Sequence, residues 1–157
     1  MKKILICDID KIYAVVKNDF QKHAMPVVDL IQFQTRDPFK VLVTTMLSAR
    51  TKDQTTTAAS QRLFSAIATI EDLKRLPVSR IEKLIYPVGF YKNKARYLKR
   101  LPRALERFGN AIPQSVDELI KLPGVGRKTA NLVVAVAFNK PAICVDVHVH
   151  RICNRLG

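Results

Sequence analysis

The run Leu122-Pro123-Gly124-Val125-Gly126-Arg127-Lys128-Thr129-Ala130-Asn131 leaves the chain little choice of local structure. A proline and two glycines within four residues stop one helix and free the backbone to reverse. Beyond them, Leu132-Val133-Val134-Ala135-Val136-Ala137-Phe138 is apolar nearly all round. The pattern predicts two helices joined by a tight hairpin, with the second at the centre of a core. Asp146 follows Lys128 eighteen residues later, within Val145-Asp146-Val147-His148.

The remaining sequence reads as helical, with few strand-like alternations and only 5 glycines. Asp37-Pro38 supplies a cap and a first-turn proline ahead of Phe39–Leu47. Thr69/Asp72, Ser79/Glu82 and Ser115/Glu118 each have the spacing of a capping box. Asp53 is expected to cap a helix that runs to about Ile67. An internal similarity at an offset of 35 pairs Ile81–Ile85 with Val116–Ile120, Gly89 with Gly124, Lys92 with Arg127 and Ala95 with Ala130. It predicts a second hairpin over Arg80–Leu98, with Phe90 at its tip where Val125 sits in the first. After Phe90, Lys92, Arg96, Lys99, Arg103 and Arg107 form one helical stripe, opposite Tyr91, Ala95, Leu98, Leu101, Leu105 and Phe108. Most of that stripe is read as a solvated face. Pro102 lies inside the pattern and is expected to kink or interrupt it.

The chain has 157 residues and is 48% apolar, enough for one core and part of another domain. Its 27 Lys and Arg outnumber 13 acids, for a net charge of +14. Such an excess either faces a polyanion or is solvated at a cost in self-repulsion, and nucleic acid is the expected partner. No apolar run is long enough to span a membrane. Met1–Cys7 resembles the start of a signal peptide, but Asp8 and Asp10 end its apolar run early, so export is not expected. Cys7, Cys144 and Cys153 are odd in number and form no close pair, which suits reduced cytosolic thiols and no metal site within the chain.

The hairpin carries the chemistry. Backbone N–H groups at Gly124, Val125 and Gly126 are expected to point outward beside the helix start, where a phosphate is well placed. Lys128 lies in the first turn, next to Arg127. A helix N-terminus, a cationic neighbour and partial desolvation all lower an amine's pKa and make its nucleophilic neutral form available. Asp146 then assists deprotonation or stabilises a cationic sugar. Two plainer readings stay open: Lys128 as a phosphate contact, and Asp146 as the N-cap of a helix over Val147–Leu156.

Leu122–Asn131 together with Val145–His148 resembles the helix-hairpin-helix, Gly/Pro-rich loop and aspartate signature of the endonuclease III family of DNA glycosylases. Leu47-Ser48-Ala49-Arg50-Thr51-Lys52-Asp53 and Gly89-Phe90-Tyr91-Lys92-Asn93-Lys94-Ala95 resemble two further family blocks, in the same order. The resemblance runs from about Asp37 to Gly157. It implies a base-excision-repair glycosylase with AP-lyase activity that removes oxidised pyrimidines from damaged double-stranded DNA, because relatives without lyase activity carry other residues at the Lys128 position. It also implies that Lys128 and Asp146 are catalytic, that Phe90 wedges into the gap left by a flipped nucleotide, and that Arg50, usually Gln in the family, fills the space facing the orphaned base. With the hairpin residues Gly124, Val125, Gly126 and Arg127, Lys92 and Arg151 complete the expected DNA contacts. His148 and His150 are expected to cap or pack.

The implied fold is all-α: a six-helix barrel over residues 30–140, with its hairpin near 115–138, and residues 1–29 and 141–157 as the remnant of a second helical domain. That second domain normally holds a [4Fe–4S] cluster on four cysteines spaced Cys-x6-Cys-x2-Cys-x5-Cys, a pattern the three cysteines here do not reproduce. A C-terminally truncated or unusually small family form, monomeric and cytoplasmic (nucleoid-associated in a prokaryote), is the expectation. The alternatives are a non-catalytic helix-hairpin-helix DNA-binding fragment, a monofunctional mismatch glycosylase, or a basic protein-binding scaffold.

Overall fold

The computed structural model describes residues 8–22 and 25–156, and among these residues the chain is all-α. The helices are α1 (Ile9–Phe20), α2 (Val27–Thr35), α3 (Pro38–Ser48), α4 (Asp53–Ala66), α5 (Ile70–Arg75), α6 (Val78–Ile85), α7 (Tyr91–Leu105), α8 (Val116–Leu119), α9 (Arg127–Phe138) and α10 (Val147–Leu156). The chain divides into two compact units. Pro26–Cys144 forms one, and the Met1–Met25 and Val145–Gly157 segments supply the other. Cys7 and the signal-like start lie outside the described residues.

In the larger unit the central element is α3, not α9. From Phe39 to Leu47 every α3 residue but Lys40 is buried, and the helix packs against α2, α4, α7 and α9. α9 buries only Ala130, Val133 and Val134. Its apolar circumference reflects two partly covered faces: Leu132 and Val136 rest on a small second cluster of Val27, Val28, Ile31 and Val41. The main cluster joins Leu42 and Leu47 of α3 to Leu63, Leu73, Ile81, Ile85, Leu98, Leu101, Leu105 and Leu119, all fully buried. Buried hydroxyls on α3 are satisfied inside the core, Thr45 Oγ1 donating to Val41 O at 2.7 Å.

Local signals set several helix starts. Asp37 Oδ1 accepts from Phe39 N at 2.9 Å ahead of Pro38. Asp72 Oδ2 accepts from Thr69 N at 2.9 Å, and Ser115 Oγ accepts from Glu118 N at 3.3 Å. Two expected caps differ. α6 begins at Val78 with Pro77 as its N-cap, so Ser79 lies inside the first turn. Pro77 already has extended backbone, which starts the helix before Ser79 is reached. α4 has Lys52 at its N-cap position with no side-chain cap, and the Asp53 carboxylate instead accepts from Val27 N at the start of α2, at 3.3 Å.

α7 runs through Pro102 uninterrupted to Leu105 and tightens into a 3-10 turn at Glu106–Phe108. Pro102 is buried in that helix, so packing overrides its local cost. Part of the cationic stripe on α7 is structural rather than solvated. Lys99 Nζ donates to the carbonyls of Lys74 and Leu76 at 2.7 Å each, closing the end of α5. Arg107 donates to Lys121 O at 2.7 Å.

In the smaller unit, Asp8 caps α1 by accepting from Lys11 N at 3.2 Å. Asp146 caps α10: its Oδ1 accepts from His148 N and Val149 N, both at 2.9 Å.

Candidate nucleic-acid interface

The two hairpins share one turn design with a shift in register. In the first, Val88 N donates to Ile85 O and Tyr91 N to Val88 O; in the second, Leu122 N donates to Leu119 O and Val125 N to Leu122 O. These pairs lie 34 residues apart, whereas the helices beyond align buried Ala95 with Ala130 at 35. The second hairpin therefore holds one extra residue before its helix. Phe90, with φ of 58°, matches Gly124, with φ of 76°, and not Val125. Both residues make the same left-handed reversal.

Val125 differs from expectation in a second way. It is buried, and its N–H is used inside the turn on Leu122 O at 3.2 Å. The outward donors at this tip are those of Gly124 and Gly126, both exposed and with no internal acceptor among the described residues. Gly126 is the N-cap of α9 and brings no side chain to satisfy the first-turn amides. Arg127 and Lys128 occupy that first turn and are both exposed, so Lys128 is not desolvated as expected.

A short loop after α3 packs against the first hairpin. Ala49-Arg50-Thr51 follows the last turn of α3, with Arg50 at φ of 54°. Gly89 N donates to Thr51 Oγ1 at 3.1 Å. A Cβ on Gly89 would lie 2.6 Å from Arg50 O, so only glycine lets the first hairpin approach this closely. The Arg50 guanidinium lies over the Phe90 ring, 5.6 Å from its centroid, and Phe90 is 60% exposed.

Arg50 and Ala49 form the shared wall of two clefts. One, of about 290 Å³, is lined by Arg50, Phe90, Asn93, Lys94, Tyr97 and Gly124 among others. The other, of about 90 Å³, is lined by Thr45, Ser48, Ala49, Arg50, Lys128, Thr129 and Leu132. An exposed apolar ring, a guanidinium, an amine and a glycine tip thus converge within one unit. Lys92 is exposed on the first turn of α7 and lines neither cleft. Asp146 and Arg151 belong to the other unit, where Arg151 Nη2 lies 3.4 Å from His148 Nδ1. The cap role is the one α10 displays for Asp146.

Residues 43–157 match the profile of the HhH-GPD superfamily of base excision DNA repair proteins. The chain belongs to that superfamily. Endonuclease III of Thermotoga maritima is 49% identical over 122 residues, covering 77% of this chain and 57% of the relative. Endonuclease III of Bacillus subtilis is 43% identical over 122 residues, with 77% and 56% covered. The chain thus spans little more than half the length of these relatives. Among solved structures, a trapped endonuclease III–DNA covalent intermediate superposes with a TM-score of 0.73 at 44% identity, over 76% of this chain and 57% of the other. A thermostable thymine-DNA glycosylase does so with a TM-score of 0.72 at 32% identity, over 78% and 58%.

In this HhH-GPD chain the organising residue of the loop is Lys94, to which the sequence motifs give no role. It is 7% exposed. Its Nζ donates to Leu47 O at 2.8 Å, Ala49 O at 2.6 Å and Thr51 Oγ1 at 3.4 Å. Burial pushes its pKa down to about 8, while three acceptors oppose that shift by favouring the charged form. The signal for it is periodic: Lys94 stands four residues before Leu98, on the buried face of α7. Tyr97 also carries no motif signal. Its ring lies against Gly124, where a Cβ would meet Tyr97 Cδ2 at 2.5 Å. No group of three His, Cys, Asp or Glu side chains converges among the described residues. These residues therefore do not fit a [4Fe–4S] cluster. Among them, no helix is long and apolar enough to cross a membrane.

Proposed function

We propose that this chain is a base-excision DNA glycosylase with AP-lyase activity, acting on an oxidised pyrimidine flipped out of duplex DNA. The observation that carries this reading is the shared Ala49–Arg50 wall, with Lys128 in the cleft on one side and Phe90 and Gly124 in the cleft on the other. A flipped nucleotide needs its sugar beside a nucleophile and its vacated place in the stack filled. Lys128 serves the first need, Phe90 and Arg50 the second. The amides of Gly124 and Gly126, with Arg127, hold the phosphate between them. Lys92 and Arg151 add further contacts to the DNA backbone.

In the reaction the Lys128 nitrogen bonds to C1′ as the N-glycosidic bond breaks, its electron pair leaving with the base, which takes up a proton. Loss of a proton from nitrogen and opening of the sugar ring give a Schiff base. Abstraction of a C2′ proton then expels the 3′ phosphate by β-elimination. Asp146 supplies the carboxylate that receives a proton or balances the cationic sugar.

Borohydride reduction on duplex carrying an abasic site tests this directly. A covalent adduct is expected, absent in Lys128→Ala. An adduct that survives Lys128→Ala refutes the assignment. The likeness to a thymine-DNA glycosylase favours a second reading, base removal without lyase chemistry. It is distinguished by free base released with no trappable adduct. Salt-sensitive duplex binding with neither product marks a binding module only.

A further inference from the structure

We propose that Lys94 is a positioning residue that locks the Ala49–Arg50–Thr51 loop and thereby sets which base is accepted opposite the lesion. The inference rests on the reading given above, in which Arg50 faces the orphaned base. Four observations carry it. Lys94 is more than nine-tenths buried, far from the norm for lysine. Its hydrogen bonds go to the last turn of α3 and to the loop, spanning Leu47, Ala49 and Thr51 on both sides of Arg50. Arg50 itself holds a left-handed backbone, φ 54°, that a non-glycine residue keeps only when its surroundings impose it. Thr51 Oγ1 in turn accepts from Gly89 N, next to the Phe90 against which Arg50 is stacked.

The chain of contacts runs Lys94, Thr51, Gly89, Phe90, and Lys94, Ala49, Arg50. Both branches end on the pair of side chains that line the larger cleft. Burial of the amine pushes its pKa down, a desolvation cost that an apolar residue at the same site avoids. What the amine supplies in return is a fixed direction for Arg50. A guanidinium donates hydrogen bonds and accepts none, so its discrimination among opposing bases depends on where its donors point.

The test uses duplexes carrying a tetrahydrofuran abasic analogue opposite each of the four bases, with affinities measured for the wild type, Lys94→Met, Arg50→Ala and the double variant. Arg50→Ala is expected to shrink the spread of affinities across the four duplexes. Lys94→Met is expected to shrink it by about the same factor, roughly tenfold, and the double variant no further. Melting curves confirm that each variant is folded. If Lys94→Met does not fold, Thr51→Val decides: it removes one acceptor at a partly buried site and is expected to flatten the preference, while Thr51→Ser restores it. A folded Lys94→Met that keeps the wild-type preference while Arg50→Ala loses it overturns this proposal alone. Thr51→Val matching wild type does the same in the second case. A preference unchanged in Arg50→Ala overturns the role of Arg50 and the proposal with it, whereas borohydride trapping through Lys128 stands or falls independently.

Discussion

Gly124 joins fold to function, and Gly124→Ala measures how tightly. Two separate costs apply. The residue has φ of 76°, and an L-residue held in the left-handed region costs about 1–2 kcal/mol. The new Cβ would also lie 2.5 Å from Tyr97 Cδ2 and 2.7 Å from its Cγ. Ordinary carbon contacts lie near about 3.5–4.0 Å, so the ring or the hairpin must move by about 1 Å, and forced overpacking of this kind costs about 1–3 kcal/mol. Together the substitution is expected to destabilise by about 2–5 kcal/mol. Gly109 provides the reference. Its φ is 64°, but an added Cβ would meet nothing within 4 Å, so Gly109→Ala isolates the backbone cost of about 1–2 kcal/mol. Urea unfolding of both variants, repeated in a Tyr97→Ala background, separates the two costs. In that background Gly124→Ala is expected to fall to the Gly109→Ala value. If Gly124→Ala costs the same with and without the tyrosine ring, the close approach of Tyr97 is not what demands glycine, and the account of the hairpin tip is wrong.

Two further outcomes are expected. Lys94 has a folded-state pKa of about 8, below its ordinary value of 10.5. The unfolded chain therefore binds more protons between those limits, and stability rises with pH across that window by up to about 3 kcal/mol; denaturant titrations from about pH 7 to 10.5 should show that rise in the wild type and lose it in Lys94→Met. Arg127 stands exposed beside the uncapped amides of α9, so Arg127→Ala is expected to lower the salt dependence of duplex affinity by about one unit of slope; fluorescence anisotropy at graded salt checks it, and an unchanged slope removes Arg127 from the phosphate contacts.

What the sequence determined by itself acts within a turn or two of the chain. The Asp37–Pro38 start, the Thr69/Asp72 and Ser115/Glu118 caps, and the reversal at Gly124 follow from hydrogen bonds and dihedral limits among near neighbours, so residue order alone decides them. Arg50, Phe90 and Lys128 stand out through the family blocks they occupy, and the resemblance implies that they serve one nucleotide; the clefts they line are made by packing. Only the tertiary structure decided that α3 rather than α9 is enclosed, because a helix apolar all round can still have faces that its neighbours do not cover. It also decided that Asp53 serves α2, whose first amide lies 26 residues before it. Lys94 is the sharpest case: lysine belongs in water by composition, and only carbonyls brought in from Leu47 and Ala49, more than forty residues earlier in the chain, make a buried ammonium tolerable. Contacts at that separation depend on how the helices pack, and packing is a property of the whole unit rather than of any local run of residues.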